Sequence, residues 1–197
     1  MSVLAGQEGD LHGSAPDTCR TAVLFIDVIS DFGFPGGDEL LKQALRIAPN
    51  LRALRERAKE EGVPLIYVND NFGRWRSSFE QLVKRCLSRD SPGRVFVEQI
   101  APGQDDYVVL KPKNSGFFQT PLDLLLKHLG ASSLILCGFC TESCILFTAQ
   151  DAYMRDFQIA VPADCVASQC GESHEATLKH LESTMKADLS RSGELSF

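Results

Sequence analysis

The sequence predicts an α/β protein: a three-layer, doubly wound, mainly parallel sheet of five or six strands. Two observations carry this. Short runs that are apolar on both faces recur along the chain, and a segment with helical spacing follows nearly every one. Strands in a parallel sheet are covered by helices on each side, so they read as continuous hydrophobic stretches and not as alternations. Strands that alternate with helices imply crossover connections. In such sheets function gathers at the carboxyl ends of the strands.

Taken in order, Thr21–Asp27 (TAVLFID) is the first apolar strand and ends in a carboxylate. A loop with Gly33, Pro35, Gly36 and Gly37 follows, and Asp38 is placed to cap the next helix. There Leu40, Ala44, Ile47, Leu51, Leu54 and Ala58 fall four and three apart, a kink is expected at Pro49, and Gly62 is the stop. Pro64–Asn69 is the second strand, opening into the polar and aromatic stretch 70–76, with a helical segment near 79–87. Residues 88–106 read as irregular. Asp106–Lys111 is a third strand, ending in lysine. Thr120 and Pro121 begin a helix as cap and first helical residue; Leu122, Leu125, Leu126 and Leu129 form its apolar face, and Gly130 ends it. Strand four begins at Leu134. Ile159–Asp164 is a short fifth strand, and a helix over about 173–185 precedes a possible last strand.

With 197 residues, 44% of them hydrophobic and 23% charged, the chain suits one domain over 21–197 with a loose, flexible arm at 1–20. The arm has no apolar core, so neither a signal peptide nor an anchor is expected. A net charge of −6 argues against nucleic acid or an anionic membrane as partner. Seven cysteines, an odd number, fit reduced thiols in the cytoplasm better than a disulfide framework.

The stretch from Leu134 to Ala149 (LILCGFCTESCILFTA) organises the rest. It passes from a strand through Gly138 into a helix, with Thr141 as the expected N-cap and Cys144 as the third helical residue. A thiol at that point meets unpaired backbone N–H groups and the positive end of a helix dipole, so a lowered pKa is expected. Asp27, Lys111 and Cys144 then stand at three strand ends. An acid, a cation and a thiol are what amide hydrolysis by cysteine needs. Cysteine–histidine catalysis fits poorly, since His12, His128, His174 and His180 lie in the arm or in helical segments. Cys137, Cys140 and Cys144 have a cluster-like spacing but lack a fourth ligand. No phosphate loop or G-x-G-x-x-G fingerprint is present, so no nucleotide cofactor is expected.

Three ordered motifs resemble the isochorismatase-like cysteine hydrolase superfamily, which includes nicotinamidases and N-carbamoylsarcosine amidases. They are Leu24-Phe-Ile-Asp-Val28 with Asp31 and Phe32; Lys111-Pro-Lys-Asn-Ser-Gly-Phe117 with Thr120 and Leu122; and Gly138-Phe-Cys-Thr-Glu-Ser-Cys-Ile145 with Thr148, Asp151 and Ala152. Asp164 also fits, as the acid after the fifth strand. The resemblance implies Asp27, Lys111 and Cys144 as a catalytic triad, without a cofactor. It implies a cis peptide between Phe139 and Cys140, and an oxyanion hole from the Cys140 and Cys144 amides. It also implies a homodimer or homotetramer acting on a small-molecule amide.

Nicotinamidases carry Asp-x-His and further histidines after the second strand as metal ligands. Here the stretch reads Asn69-Asp-Asn-Phe-Gly-Arg-Trp-Arg76, so no metal site is expected. The loop instead offers substrate contacts: Asn69 or Asn71 to an amide, Trp75 by stacking, and Arg74 or Arg76 to an anion. Phe32, Trp75, Phe117 and Phe139 are candidates for the pocket wall. The expected function is cysteine-dependent hydrolysis of an amide, carbamoyl or ureido C–N bond through a thioester. A metal-assisted nicotinamidase and a non-catalytic subunit that keeps the fold are the alternatives.

Overall fold

The computed structural model describes residues 19–73, 76 and 78–197. Arm residues 1–18, Arg74 and Trp75 therefore lie outside the described residues.

Six strands form one parallel sheet: β1 (Thr21–Ile26), β2 (Leu65–Asp70), β3 (Tyr107–Lys111), β4 (Ser133–Phe139), β5 (Gln158–Ala160) and β6 (Val166–Ala167). The order is β3-β2-β1-β4-β5, with β6 paired to the end of β4 through Gly138↔Val166 and Phe139↔Ala167. The helices are α1 (Gly37–Glu60), α2 (Phe79–Cys86), α3 (Arg94–Ile100), α4 (Leu122–Leu129), α5 (Leu146–Tyr153) and α6 (Gly171–Met185).

The pleat of β1 divides the core into two layers. Val23 and Phe25 pack with Leu40, Leu51 and Leu54 of α1, Leu82 of α2 and Phe96 of α3. Ala22, Leu24 and Ile26 face Leu122, Leu126 and Leu129 of α4, Ala149 of α5 and Leu181 of α6. All six residues of β1 are buried, as a central strand covered on both sides requires. The winding reverses between β1 and β4, which are neighbours in the sheet. That switch point is where a crevice opens outside the carboxyl ends of the strands.

Several boundaries differ from those expected. The 88–106 stretch contains α3, whose Phe96, Val97 and Ile100 are fully buried; seven residues are too few for a clear periodicity to emerge. Gly36, not Asp38, caps α1, and Pro49 sits inside that helix without ending it. Strand β5 stops at Ala160, short of Pro162, and the tail beyond α6 contributes only an isolated parallel bridge from Ala160 to Asp188. Gly138 adopts φ +118, and a Cβ there would lie 2.0 Å from the Ile26 carbonyl oxygen. Only glycine lets β4 pass so close to β1 while its backbone turns this way.

Candidate active site

The chain brings together the three residues that the strand ends nominate. Asp27 follows β1 with φ 54, a left-handed conformation that costs a non-glycine residue roughly 1–2 kcal/mol. Its Oδ2 lies 2.8 Å from Lys111 Nζ, and its Oδ1 accepts a 2.7 Å hydrogen bond from the Asp70 N–H. Lys111 closes β3 with its side chain 0% exposed. The ammonium donates to Cys144 Sγ at 3.3 Å and stands 3.8 Å from Asp70 Oδ2. A buried ammonium persists only when its charge is met by partners, and here two carboxylates and a sulfur surround it.

Cys144 is half-buried in a π turn, Thr141–Ile145, that joins β4 to α5. Cys140, not Thr141, caps this turn, and its carbonyl accepts from the Ser143 and Ile145 N–H groups at 3.1 and 3.2 Å. Thr141 is drawn away from capping because its Oγ1 pairs with His174 Nδ1 at 2.8 Å. Glu142 accepts from Ser168 Oγ at 2.7 Å, so the turn is tied to the residues around the start of α6 on two sides. Single π turns within helices concentrate at functional sites. Here the turn places Cys144 beside Lys111.

The electrostatics overturn the expected thiolate. Burial pushes the Cys144 thiol up to about 12; the Asp27 carboxylate raises it further, and Lys111 only partly opposes them. Burial also raises Asp27 above the ordinary 3.8, outweighing the attraction of Lys111. Lys111 goes the other way: burial lowers it, but Asp27, Cys144 and Asp70 together hold it above 10.5. At neutral pH the sulfur is therefore a thiol, and it needs a base to lose its proton. A helix terminus alone did not outweigh desolvation.

The Phe139–Cys140 peptide is trans, and no cis bond occurs among the described residues. This corrects the expected cis form. Gly138 at φ +118 turns the chain, with Cys140 extended at φ −81 and ψ 146, so the strand reaches the turn without a cis bond. A non-proline cis bond would cost about 3–4 kcal/mol. The inward Cys140 N–H that rested on it loses its basis.

A cavity of about 700 Å³ is walled by Asp31, Phe34, Asp70, Phe72, Arg76 and Leu110, among others. Asp70, which sequence reasoning passed over, is shared between this wall and the surroundings of the Lys111 ammonium. Its signal was available: it directly follows Asn69, so the strand alternation turns it the other way. Asn71 lines the cavity as well, and its side chain accepts from the Gly73 N–H at 2.9 Å.

Four other expected substrate contacts are structural. Phe32 and Phe139 are buried in one aromatic cluster with Phe96, at centroid distances of 5.8, 5.9 and 5.3 Å. Phe117 is buried in the opposite layer, against Phe157 and beneath the Arg155 guanidinium. Asn69 is fully buried, and its amide clamps the backbone of Ile29, accepting from the N–H at 3.1 Å and donating to the carbonyl at 2.8 Å. It thereby fixes the loop just after Asp27. Replacing Asn69 with alanine should destabilise the fold by about 2–4 kcal/mol, because two buried backbone groups lose their partners. An unchanged urea midpoint would contradict that role.

Among the described residues no group of three or more histidine, cysteine, aspartate or glutamate side chains is placed to hold a metal ion.

The family model for the isochorismatase domain matches residues 21–192. The chain is 36% identical over 168 residues to YaaI of Bacillus subtilis (strain 168), an uncharacterized isochorismatase family protein, covering 85% of this chain and 92% of that one. It is 26% identical over 172 residues to the maleamate amidohydrolase of Pseudomonas putida, covering 83% of this chain and 80% of that one. The crystal structure of nicotinamidase PncA from Bacillus subtilis matches with a TM-score of 0.69 at 27% identity, over 88% of this chain and all of that one.

Proposed function

Because this chain belongs to the isochorismatase family of hydrolases, we propose that it cleaves the C–N bond of a small amide, carbamoyl or ureido compound through Cys144. The observation that carries this reading is one buried ammonium, Lys111, bonded at once to a carboxylate and a thiol. The amide substrates in the names of the maleamate amidohydrolase and the nicotinamidase support it.

The proposed reaction begins as Asp27 takes the thiol proton while Cys144 Sγ attacks the carbonyl carbon. Lys111 stabilises the sulfur as charge develops on it. The oxyanion is received by the Cys144 N–H at the start of the helix. Collapse breaks the C–N bond, and Asp27 returns its proton to the departing nitrogen. A water then gives a proton to Asp27 and attacks the thioester carbonyl. The acid leaves, and the sulfur regains its proton. Asp70 and the cavity beside it hold the rest of the substrate.

The test is hydrolysis across a panel of small primary amides, ureides and lactams, read as ammonia release or, for lactams, as ring opening; turnover of none of them would reject the reading. The pH profile is a second check. Asp27 must be ionised to act as the base, and burial raises its pKa above the ordinary 3.8. Activity should therefore fall on acidification, with the acid limb of kcat/KM above that value. A limb at or below 3.8 would show that another group is the base.

A further inference from the structure

Beyond the triad, one polar side chain among the described residues reaches the sulfur. Ser143 Oγ lies 3.9 Å from Cys144 Sγ, at the outer edge of hydrogen bonding for sulfur. It is also held by the Asn114 side-chain amide, whose Nδ2 donates to Ser143 Oγ at 2.6 Å. The direction of that bond decides the chemistry. An amide N–H only donates, so it occupies an acceptor position on the hydroxyl. The hydroxyl keeps its own proton, and the sulfur is its other partner. Asn114 lies in the loop after β3, three residues past Lys111, and Ser143 immediately precedes Cys144 in the π turn. The pair thus links the segment that delivers the ammonium to the one that delivers the thiol.

We propose that the Ser143 hydroxyl, oriented by Asn114, donates a hydrogen bond to the Cys144 sulfur as that sulfur gives its proton to Asp27. Ser143 is thereby a catalytic residue, and Asn114 its positioning residue. The Cys144 proton goes to Asp27; the Ser143 proton stays on its oxygen throughout. A neutral thiol is a weak acceptor and a thiolate a strong one, so the bond strengthens only once charge appears. An interaction of that kind raises kcat without tightening the ground state. Lys111 supplies the opposite charge, but it is shared with Asp27 and Asp70. Ser143 has no such competitor: among the described residues its hydroxyl hydrogen-bonds only with Asn114 and the sulfur. The inference rests on the cysteine reading above.

The test needs no knowledge of the substrate. Cys170 is fully exposed, and its pKa is lowered by hydrogen bonds from Ser173, so its alkylation serves as an internal reference within the same molecule. The rates at which iodoacetamide modifies Cys144 and Cys170 are read at pH 8 by peptide mapping. In Ser143→Ala the Cys144-to-Cys170 ratio should fall about tenfold, as expected for losing a hydrogen bond to a charged group. Ser143→Thr, which keeps the hydroxyl, should restore most of it. Asn114→Ala, an exposed change that leaves the π turn intact, should lower the ratio in the same direction by a smaller factor. An unchanged ratio in Ser143→Ala overturns the proposal, and so does an equal fall in Ser143→Thr. With a turned-over substrate in hand, Ser143→Ala should lower kcat and leave KM nearly unchanged; a rise in KM alone would also overturn it. Full turnover by Cys144→Ala would instead sink the cysteine reading, whatever the alkylation ratio shows.

Discussion

Replacing Cys144 with alanine should abolish ammonia release, lowering turnover on the order of 10⁴- to 10⁶-fold, as loss of a covalent nucleophile does. The fold should survive. The sulfur is half-buried in a turn held by backbone bonds and by the Thr141–His174 and Glu142–Ser168 contacts. The measurements are ammonia release and a thermal melt on the same preparation. Residual activity near the wild-type level would remove the thioester from the mechanism. Lost activity with a collapsed melt would say only that the turn had been broken, so both readings are taken together.

Asp27→Asn is the second large effect and acts in two ways. The base for the thiol is gone, and a thiol pushed up to about 12 cannot ionise unaided at neutral pH. Turnover should drop by about 10³- to 10⁴-fold, near the upper range of general acid–base catalysis. Stability should fall as well. Lys111 is 0% exposed and loses its partner at 2.8 Å, leaving Asp70 at 3.8 Å as the nearest carboxylate. Removing one partner of a buried pair costs about 3–5 kcal/mol. The pH dependence of the stability follows from the signs. Lys111 sits above its ordinary value in the folded state, so its stabilising contribution is complete below 10.5 and fades as pH rises through the higher folded value. Asp27 sits above 3.8, so ionising it opposes folding as pH rises through the range between its unfolded and folded values. The urea midpoints of wild type and Asp27→Asn, compared from pH 3 to above pH 10.5, read both. A midpoint equal to wild type throughout would mean that the buried pair contributes nothing.

The skeleton of the site was legible because strand periodicity is robust. Asp27, Lys111 and Cys144 stand at or just beyond the ends of β1, β3 and β4, and a parallel sheet gathers those ends by construction. What was not legible depends on burial and partner choice, which one-dimensional spacing does not encode. Cys144 looked like a thiolate because its place at a helix start is visible in sequence, whereas desolvation is not. Asn69 looked like a substrate ligand because its type fits one, yet its amide is consumed by the backbone of Ile29. Phe32 and Phe139 looked like walls because aromatic residues near a site often are, but they fill the layer beneath it. The expected cis peptide came from resemblance alone, and Gly138 turns the chain without it. Asp70 and Ser143 were overlooked for a shared reason: each adjoins a more conspicuous residue.

The burial of Lys111 carries a further consequence. When the proton leaves sulfur for the carboxylate, the negative charge moves from an oxygen 2.8 Å from the ammonium to a sulfur 3.3 Å from the same ammonium. The sum over the three groups is zero before the step and zero after it. No ion has to enter or leave, and a cation shielded from water feels little of the salt outside. In the proposed mechanism the first chemical step is thus a displacement of an anion around a stationary counterion, which makes that step far less sensitive to ionic strength than one relying on surface charge.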